Sequence, residues 1–315
     1  MNNIEDLIKQ ANSIAIFFHV NPDGDAVGSS LALKIALEQL NKEVKVFSQD
    51  EIPERLQFLD FKSIYTTITN EKFDLAFVLD CPDIKRIGNM YSVYKNCKTV
   101  VNIDHHLFNQ NFTENMIVNT EASSTCEIIY NFINDLKLNI TKEIALCLYT
   151  GMATDSGCFM YNISPNLHKI VGYLLKQIND IENVNYILFR QKKKEELSLY
   201  ADCLAKLEYH VNDNLAITSI TKKDLEKNNA KEDDSVGLIF LLSGLTNVKV
   251  VCVMCEEKFG QYKVAFRSKN TDVCALAKMF GGGGHKFASG CKIYGTKNSV
   301  KRLIIEKTKE YLCTE

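Results

Sequence analysis

The sequence has few of the features that mark disordered, exported or membrane-embedded proteins. Only 4 of its 315 residues are proline, and it contains no serine-rich or glycine-rich tract, so a long flexible linker is not expected. The N-terminus lacks the basic start and long apolar core of a signal peptide, and no apolar run reaches the length of a membrane span. We therefore expect a cytoplasmic protein with no membrane partner.

An excess of charge of either sign is also missing. The formal net charge is −2 at pH 7. Because proteins that coat long nucleic acids need a broad basic surface, this charge argues against a long nucleic-acid partner. A small phosphorylated substrate is still compatible with it, since a bound metal ion can supply the positive charge locally.

Cysteine, in contrast, is abundant, with 11 residues. In the absence of an export signal, free thiols are favoured over a disulfide framework. Most of these cysteines lie among apolar residues, as Cys147 does, and are predicted to fill the core. Cys252 and Cys255 form one C-x-x-C pair with no second pair to complete a zinc site, so we expect neither metal nor redox function there.

A chain of this length is too long for one core, which favours two domains. Apolar runs that alternate with helical stretches in the first half predict a doubly wound parallel α/β sheet. The predicted strands are 13–18, 43–47, 73–80 and 99–103, and the predicted helices are 31–40, 124–136, 142–153 and 166–178. The charged run that begins at 189 is predicted to be helical, and it is interpreted as a connecting helix rather than as an arm that binds nucleic acid. We predict domains at 1–188 and 207–315, the second a smaller α/β domain, joined by a linker helix at 189–206.

Polar side chains follow the first predicted strand, in the loop that leads into the next helix. His19, Asp23 and Asp25 lie there, with Pro22 and Gly24 shaping the turn. An ordinary turn needs only one aspartate to cap the helix. The additional residues favour a metal site, because hard cations prefer carboxylate oxygens and imidazole suits manganese or iron.

Other strands and helices of the first half also end in acids or imidazoles. Each of these residues taken alone is compatible with a solvated strand end or a turn. The collected residues are His19, Asp23, Asp25, Asp80, Asp104, His105, His106 and Asp155. Strand ends gather at one edge of an open α/β sheet, and two divalent cations about 3.5–4 Å apart need about this many ligands. A phosphoester is the expected substrate class.

The second half contains a candidate anion-binding loop. Gly281 to Gly284 give backbone freedom, and exposed amides there can hold a phosphate. A flexible hinge would explain the glycines, but not the His285 and Lys286 that follow them or the Arg267 at the end of a nearby strand.

Together these motifs resemble the DHH phosphoesterase family over nearly the whole chain. The segment from His19 to Ser29 resembles the first family motif, Asp80 the second, Asp104-His105-His106 the third and Asp155 the fourth. Arg267-Ser268 with Gly281 to Gly290 resembles the DHH-associated C-terminal domain, with Ser289 where many relatives have alanine. The size and layout are similar to the stand-alone oligoribonuclease and pAp-phosphatase (nanoRNase) type.

The resemblance implies a role for each of these residues. One manganese ion would be bound by His19, Asp23 and Asp80, and a second by Asp25, Asp80, His105 and Asp155. Asp104 would support His105, and His106 would contact the scissile phosphate, while a bridging hydroxide attacks phosphorus. Substrate would be held in a cleft between the domains by Arg267, Ser268, Gly282, Gly283, Gly284 and His285.

The implied activity is hydrolysis of short oligoribonucleotides (nanoRNA) to mononucleotides, of 3′-phosphoadenosine 5′-phosphate (pAp) to AMP, or of both. The implied cofactor is two manganese ions, with magnesium or cobalt as alternatives. A phosphodiesterase acting on cyclic or linear dinucleotides is the alternative enzyme. A non-catalytic nucleotide sensor is disfavoured because every expected ligand is present. A homodimer is compatible with the sequence.

Overall fold

The computed structural model describes residues 2–314, which fall into two compact units divided between Gln191 and Lys192. Each unit is built on a sheet of six strands. The predicted domain bounds, with a separate linker at 189–206, stay a prediction.

The first sheet is buried on both faces, as the short apolar runs of the sequence require. In the first strand Ile14 and Ile16 enter one hydrophobic cluster, whereas Ala15 and Phe17 enter another on the opposite face. This burial explains why the strand has no alternating polar residues, since a parallel sheet is covered by helices on both sides.

The elements of the first unit alternate along the chain. Its strands are β1 (Ser13–Phe17), β2 (Glu43–Phe47), β3 (Ile64–Tyr65), β4 (Phe73–Leu79), β5 (Cys97–Asp104) and β6 (Asn115–Val118). Its helices are α1 (Asn2–Gln10), α2 (Gly24–Glu38), α3 (Tyr91–Tyr94), α4 (Thr125–Asp135), α5 (Lys142–Asp155), α6 (Pro165–Leu174) and α7 (Ile181–Asn185).

The strands of this sheet are all parallel, in the order β3-β2-β1-β4-β5-β6. The order reverses between β1 and β4, which lie side by side. At such a reversal the connections leave toward opposite sides of the sheet, so the carboxyl ends of the two strands border an open crevice. The loops after β1 and β4 carry His19, Asp23 and Asp80, three of the polar residues identified in the sequence.

Two glycines allow the helices beside this crevice to pack closely. A Cβ atom at Gly28 of α2 would lie 2.4 Å from the backbone oxygen of Cys147 in α5. A Cβ atom at Gly151 of α5 would lie 2.8 Å from an oxygen of Asp25 and 2.2 Å from the sulfur of Cys126. The small residues therefore set the distance between α2, α4 and α5 at the point where Asp25 is held.

The second unit has a mixed sheet in the order β11-β12-β10-β9-β8-β7, in which only β8 and β9 pair in parallel. Its strands are β7 (Glu208–His210), β8 (Leu215–Ile220), β9 (Val250–Lys258), β10 (Gln261–Arg267), β11 (Gly283–His285) and β12 (Ala288–Tyr294). Its helices are α8 (Lys194–Ala205), α9 (Lys222–Asn228), α10 (Val236–Leu242), α11 (Val273–Lys278) and α12 (Lys297–Thr314).

The structure corrects two predicted helix bounds. Helix α2 begins at Gly24 rather than at 31, because Asp23 caps it and the small residues that follow are already helical. The charged run predicted as helical from 189 is not one helix. Tyr186–Arg190 forms a π-helical turn, and α8 starts only at Lys194 after an extended Lys193.

Among residues 2–314, no helix combines the length and the apolar character that a bilayer crossing demands. All eleven cysteines carry free thiols, and Cys252 and Cys255 lie in β9.

Candidate metal centre

The loop after β1 brings His19 and Asp23 together. One oxygen of Asp23 accepts the backbone N–H groups of Asp25 and Ala26 at 3.1 Å each, which caps α2. Its other oxygen lies 3.7 Å from Nε2 of His19. A carboxylate has two oxygens, so capping the helix leaves Asp23 able to serve as a ligand as well.

Asp25 is buried in the first turn of α2 and is held by the start of another helix. Its oxygens accept the backbone N–H groups of Thr125 at 2.7 Å and Cys126 at 2.8 Å, at the N-terminus of α4. Burial and the nearby charge of Asp80 nevertheless raise the pKa of Asp25 to about 7. To be fully ionised at neutral pH, a carboxylate in this position needs more nearby positive charge than the N-terminus of α4 supplies.

Asp80 follows β4 in a left-handed backbone conformation, with a φ of 55°. Aspartate and asparagine tolerate this region better than most other residues. The conformation places one oxygen 3.3 Å from Nε2 of His19 and the other 3.7 Å from Nε2 of His105. The hydroxyl of Thr125 donates to the second oxygen at 3.2 Å. Asp80 therefore lies between the two imidazoles.

The charges at this point are interdependent. Burial disfavours the charged form of Asp80, but its hydrogen bond with His19 and the neighbouring imidazoles outweigh burial and lower its pKa. Burial likewise disfavours charged His19, yet the bond to Asp80 and the charges of Asp23 and Asp80 raise the pKa of His19 to about 9. A metal ion bound there would replace the extra proton of the charged His19 imidazole, because an imidazole that binds a metal must be neutral.

His105 is the buried imidazole of the second group. Its Nε2 lies 3.5 Å from a carboxylate oxygen of Asp155 and 4.0 Å from one of Asp25. A hydrogen bond to the backbone of Ala122 holds the ring. Metal-binding histidines are generally fixed in this way through the ring nitrogen that does not bind the ion.

Asp155 is the last residue of α5 and belongs to the helix, not to a break after it as the sequence suggested. Its side chain is partly accessible, at 23%. Burial and the surrounding carboxylates of Asp25, Asp23 and Asp80 raise its pKa well above the usual range.

The structure corrects the role predicted for Asp104. We expected its carboxylate to support His105, but it accepts a hydrogen bond from Nδ1 of His106 at 2.7 Å. His106 follows two residues after Asp104, the last residue of β5, and its Nδ1 also lies 3.6 Å from an oxygen of Asp80. His106 is 20% exposed, so its ring is held on one side and reaches solvent on another.

These side chains form three groups in which the candidate ligand atoms all lie within 4.8 Å of one another. The groups are His19 with Asp23 and Asp80, Asp25 with Asp80 and His105, and Asp80 with Asp104 and His106. Asp80 belongs to all three.

The donor set fits divalent ions. The first two groups mix carboxylate oxygens with imidazole nitrogens, the combination that suits manganese and iron. Several of the carboxylates are almost fully buried, and buried charges of one sign are costly unless a cation compensates them. The residues therefore meet the chemical requirements of a divalent metal site.

The predicted substrate residues Arg267 and Ser268 lie at the end of β10. The Arg267 guanidinium lies over the ring of Phe240, 5.3 Å from its centre. The Ser268 hydroxyl is engaged in the turn, where it donates to the backbone oxygen of Lys249 at 2.6 Å and accepts from the N–H groups of Asn270 and Thr271. Ser268 thus shapes the backbone next to Arg267.

The predicted glycine loop is in part a strand. Gly283, Gly284 and His285 form β11, which pairs with β12 and borders the sheet. Gly284 has a φ of 138°, and a Cβ atom there would lie 2.6 Å from the oxygen of Ala288, so only glycine fits. Arg267 also pairs with Ala288, which places Arg267 and His285 at the same end of the sheet.

The sequence did not reveal the residues that donate hydrogen bonds to the predicted site residues. Thr125 carries a hydroxyl to Asp80, and Asn109 donates to Asp104. The predicted helix at 124–136 placed the start of α4 within one residue, but no sequence pattern indicated that the Thr125 hydroxyl contacts Asp80. Asn109 lies in a loop, where nothing in the sequence pattern distinguishes it from a solvated residue.

Comparison with protein-family models finds two matches. Residues 13–152 match the N-terminal domain of the DHH family, and residues 212–312 match the DHHA1 domain.

Curated relatives are similar along most of the chain. A protein of Thermus thermophilus named bifunctional oligoribonuclease and PAP phosphatase NrnA is 30% identical over 301 residues, which cover 94% of this chain and 89% of that protein. A Streptococcus mutans protein described as a probable enzyme of the same kind is 29% identical and covers 91% of both chains.

Solved structures share the fold. A Bacteroides fragilis protein described as exopolyphosphatase-related superposes with a TM-score of 0.91 at 30% identity, covering 100% of this chain and 97% of that one. The exonuclease RecJ bound to manganese superposes with a TM-score of 0.59 at 13% identity, covering 98% of this chain and 92% of that one, and so shares the fold alone.

Proposed function

The chain belongs to the DHH family of metal-dependent phosphoesterases, and from this premise we propose that it hydrolyses very short RNA to mononucleotides, pAp to AMP, or both, with manganese. The observation that carries the proposal is the pair of ligand groups that share Asp80. Two ions bound there would lie close enough to act on one phosphate.

The proposed ligands follow these groups. His19, Asp23 and Asp80 would hold one ion, and Asp25, Asp80 and His105 the other, with Asp80 common to both. Asp155 is outside these groups, but one of its oxygens lies 3.5 Å from Nε2 of His105, and it would complete the second set. When bound, the ions supply an activated water and neutralise charge on the phosphate. Manganese suits the mixed imidazole and carboxylate donors, and magnesium and cobalt are the alternatives to be compared.

The protein groups orient the substrate for a simple displacement. The oxygen of water bonds to phosphorus as the water loses a proton, the phosphoester P–O bond breaks, and the leaving oxygen takes up a proton. His106 is the proposed donor to the phosphate, through the ring nitrogen that is not bonded to Asp104. Burial disfavours the charged imidazole, but the hydrogen bond to Asp104 and the charge of Asp80 outweigh burial and raise the pKa of His106, which favours the donor form.

Arg267 and His285 are the proposed contacts for the remainder of the nucleotide. A guanidinium binds phosphate oxygens in pairs, and the amides around Gly282, Gly283 and Gly284 can add hydrogen bonds. Ser268 contributes by fixing the turn beside Arg267. The proposed substrates are those in the names of the relatives from Thermus thermophilus and Streptococcus mutans, oligoribonucleotides and PAP.

The test is hydrolysis by the purified protein with manganese chloride. Synthetic di- to pentaribonucleotides should yield mononucleotides, and pAp should yield AMP and phosphate, measured by chromatography. If the tri- to pentaribonucleotides and pAp are not hydrolysed, while cyclic di-AMP or the linear dinucleotide pApA is cleaved, the protein is a dinucleotide phosphodiesterase and the proposal is wrong.

The matched variants are Asp80→Asn and Asp83→Asn. Asparagine tolerates the left-handed backbone at 80 but lacks the charge of a bridging ligand, so activity should fall to background. Asp83 lies three residues further on and accepts the backbone N–H of Lys85, which caps the short 3₁₀ helix Ile84–Met90 through one oxygen that asparagine can replace. Asp83→Asn should therefore retain activity, and equal activity of the two variants would contradict the assigned centre.

A further inference from the structure

A chain of side-chain hydrogen bonds runs behind the Asp104-His106 pair. Asp104 is completely buried and accepts from Nδ1 of His106 through one oxygen. Its other oxygen accepts from the amide nitrogen of Asn109 at 2.7 Å. The same nitrogen donates to the side-chain oxygen of Asn102 at 2.8 Å.

Asn102 continues this chain to the backbone around Asp80. Its amide nitrogen donates to the oxygen of Val78 at 3.0 Å and to that of Cys81 at 3.2 Å. These two carbonyls flank the left-handed residue Asp80. One amide thus holds the backbone on both sides of the residue proposed to bridge the ions.

The orientation of the Asn109 side chain follows from its partners. Its oxygen accepts the backbone N–H of Asn111 at 2.9 Å, so its nitrogen must face the two oxygens of Asn102 and Asp104. Asparagine supplies both requirements with one planar group, an acceptor toward the loop and two N–H donors toward the buried acids and amides.

We infer that Asn109 is a positioning residue for His106, which acts by fixing the Asp104 carboxylate and by linking it to the Asp80 turn through Asn102. The inference rests on the proposed function, in which His106 contacts the phosphate. Without the amide, one oxygen of a fully buried carboxylate loses a donor, and the carboxylate gains freedom to turn and take the imidazole with it.

The test is the kinetics of Asn109→Ala with manganese and the wild-type substrate. Loss of such a supporting group is expected to lower kcat by about tenfold to a hundredfold. Because Asn109 is not in a ligand group, the affinity for manganese, measured by calorimetry, and KM should change by no more than about twofold. Asn109→Asp keeps the shape and the bond from Asn111 but removes both donors, so it should show the same defect.

Gln110→Ala is the matched control. Gln110 lies in the same loop and is exposed, and its side-chain nitrogen donates to Asp83, outside the chain of hydrogen bonds. Its kcat should equal that of the wild type.

A double-variant cycle separates positioning from general damage to the loop. Once His106 is replaced in His106→Ala, adding Asn109→Ala should lower kcat by less than about twofold, because the two residues act as one unit. An undiminished second loss, or a wild-type kcat in both Asn109 variants, would overturn the inference. A wild-type protein with no activity would instead overturn the proposed function.

Discussion

Two adjacent imidazoles, His105 and His106, have different surroundings although they follow one another in sequence. His105 is buried among Asp25, Asp80 and Asp155, whereas His106 is partly exposed and bonded to Asp104. The two ring centres are only 4.8 Å apart and both rings approach the same oxygen of Asp80, but their other partners differ.

This difference predicts different defects for the two alanine variants. His105→Ala should weaken manganese binding, because it removes a proposed ligand of the second ion. His106→Ala should lower kcat with both ions still bound, because it removes only a phosphate contact. Calorimetry with manganese and steady-state kinetics on pAp distinguish the two, and an equal loss of metal in both variants would contradict the division.

At the scale of elements, the position of Asp25 depends on how closely three helices pack. The glycines in α2 and α5 leave no room for a Cβ atom beside Cys147, Cys126 and Asp25. The N–H groups at the start of α4 can reach the carboxylate only because this spacing is small.

Gly28→Ala should therefore destabilise the protein. Its new methyl group would meet the backbone oxygen of Cys147, and overpacking of this kind costs about 1–3 kcal/mol. The expected result is a lower Tm in thermal unfolding followed by circular dichroism.

Gly172→Ala is the matched control, an exposed helical glycine in α6 with nothing within 4 Å of the added atom. It should leave the Tm unchanged or raise it, since alanine is favoured over glycine in a helix by about 0.5–1 kcal/mol. A Gly28→Ala protein as stable as the control would show that α2 and α5 can separate without cost.

Most elements of the first sheet could be predicted from the sequence, because its central strands are continuous apolar runs. The strands β3 and β6 were missed. β3 has only two residues, and β6 is an edge strand that is half-buried along its length. Such strands exist through pairing with a neighbour and leave no periodic signal of their own.

The same limit applies to β11. Gly283 and Gly284 have little intrinsic preference for a strand, and the sequence therefore indicated a loop. Pairing with Ser289 and Gly290 of β12 determines their conformation instead. The candidate ligands, in contrast, were singled out because several carboxylates and imidazoles follow apolar runs in one half of the chain, although each of them alone is compatible with a solvated strand end or a turn.

At the scale of the whole molecule, the candidate ligand carboxylates all lie in the first unit, and the candidate phosphate contacts Arg267 and His285 belong to the second. Each unit has its own hydrophobic clusters. All the proposed metal ligands belong to the first unit. Bound ions should therefore stabilise the first unit against unfolding and leave the stability of the second unit unchanged.

Removal of metal with a chelator is expected to lower the Tm of the first unit, and manganese to restore it. At a concentration one hundred times its Kd, each bound ion stabilises the folded state by about 2.7 kcal/mol. Scanning calorimetry with and without manganese measures the shift. Asp80→Asn should lose most of it and Asp83→Asn should keep it, and an identical shift in both would place the ions elsewhere.

The left-handed backbone at Asp80 also has an evolutionary consequence. Most replacements there would have to bear backbone strain of about 1–2 kcal/mol, but asparagine differs from aspartate by one base of the codon and avoids it. A lineage released from selection for catalysis can therefore pass through this substitution while its chains still fold and accumulate. Inactive descendants of this fold should then be recognisable by asparagine at position 80 within an otherwise intact sequence.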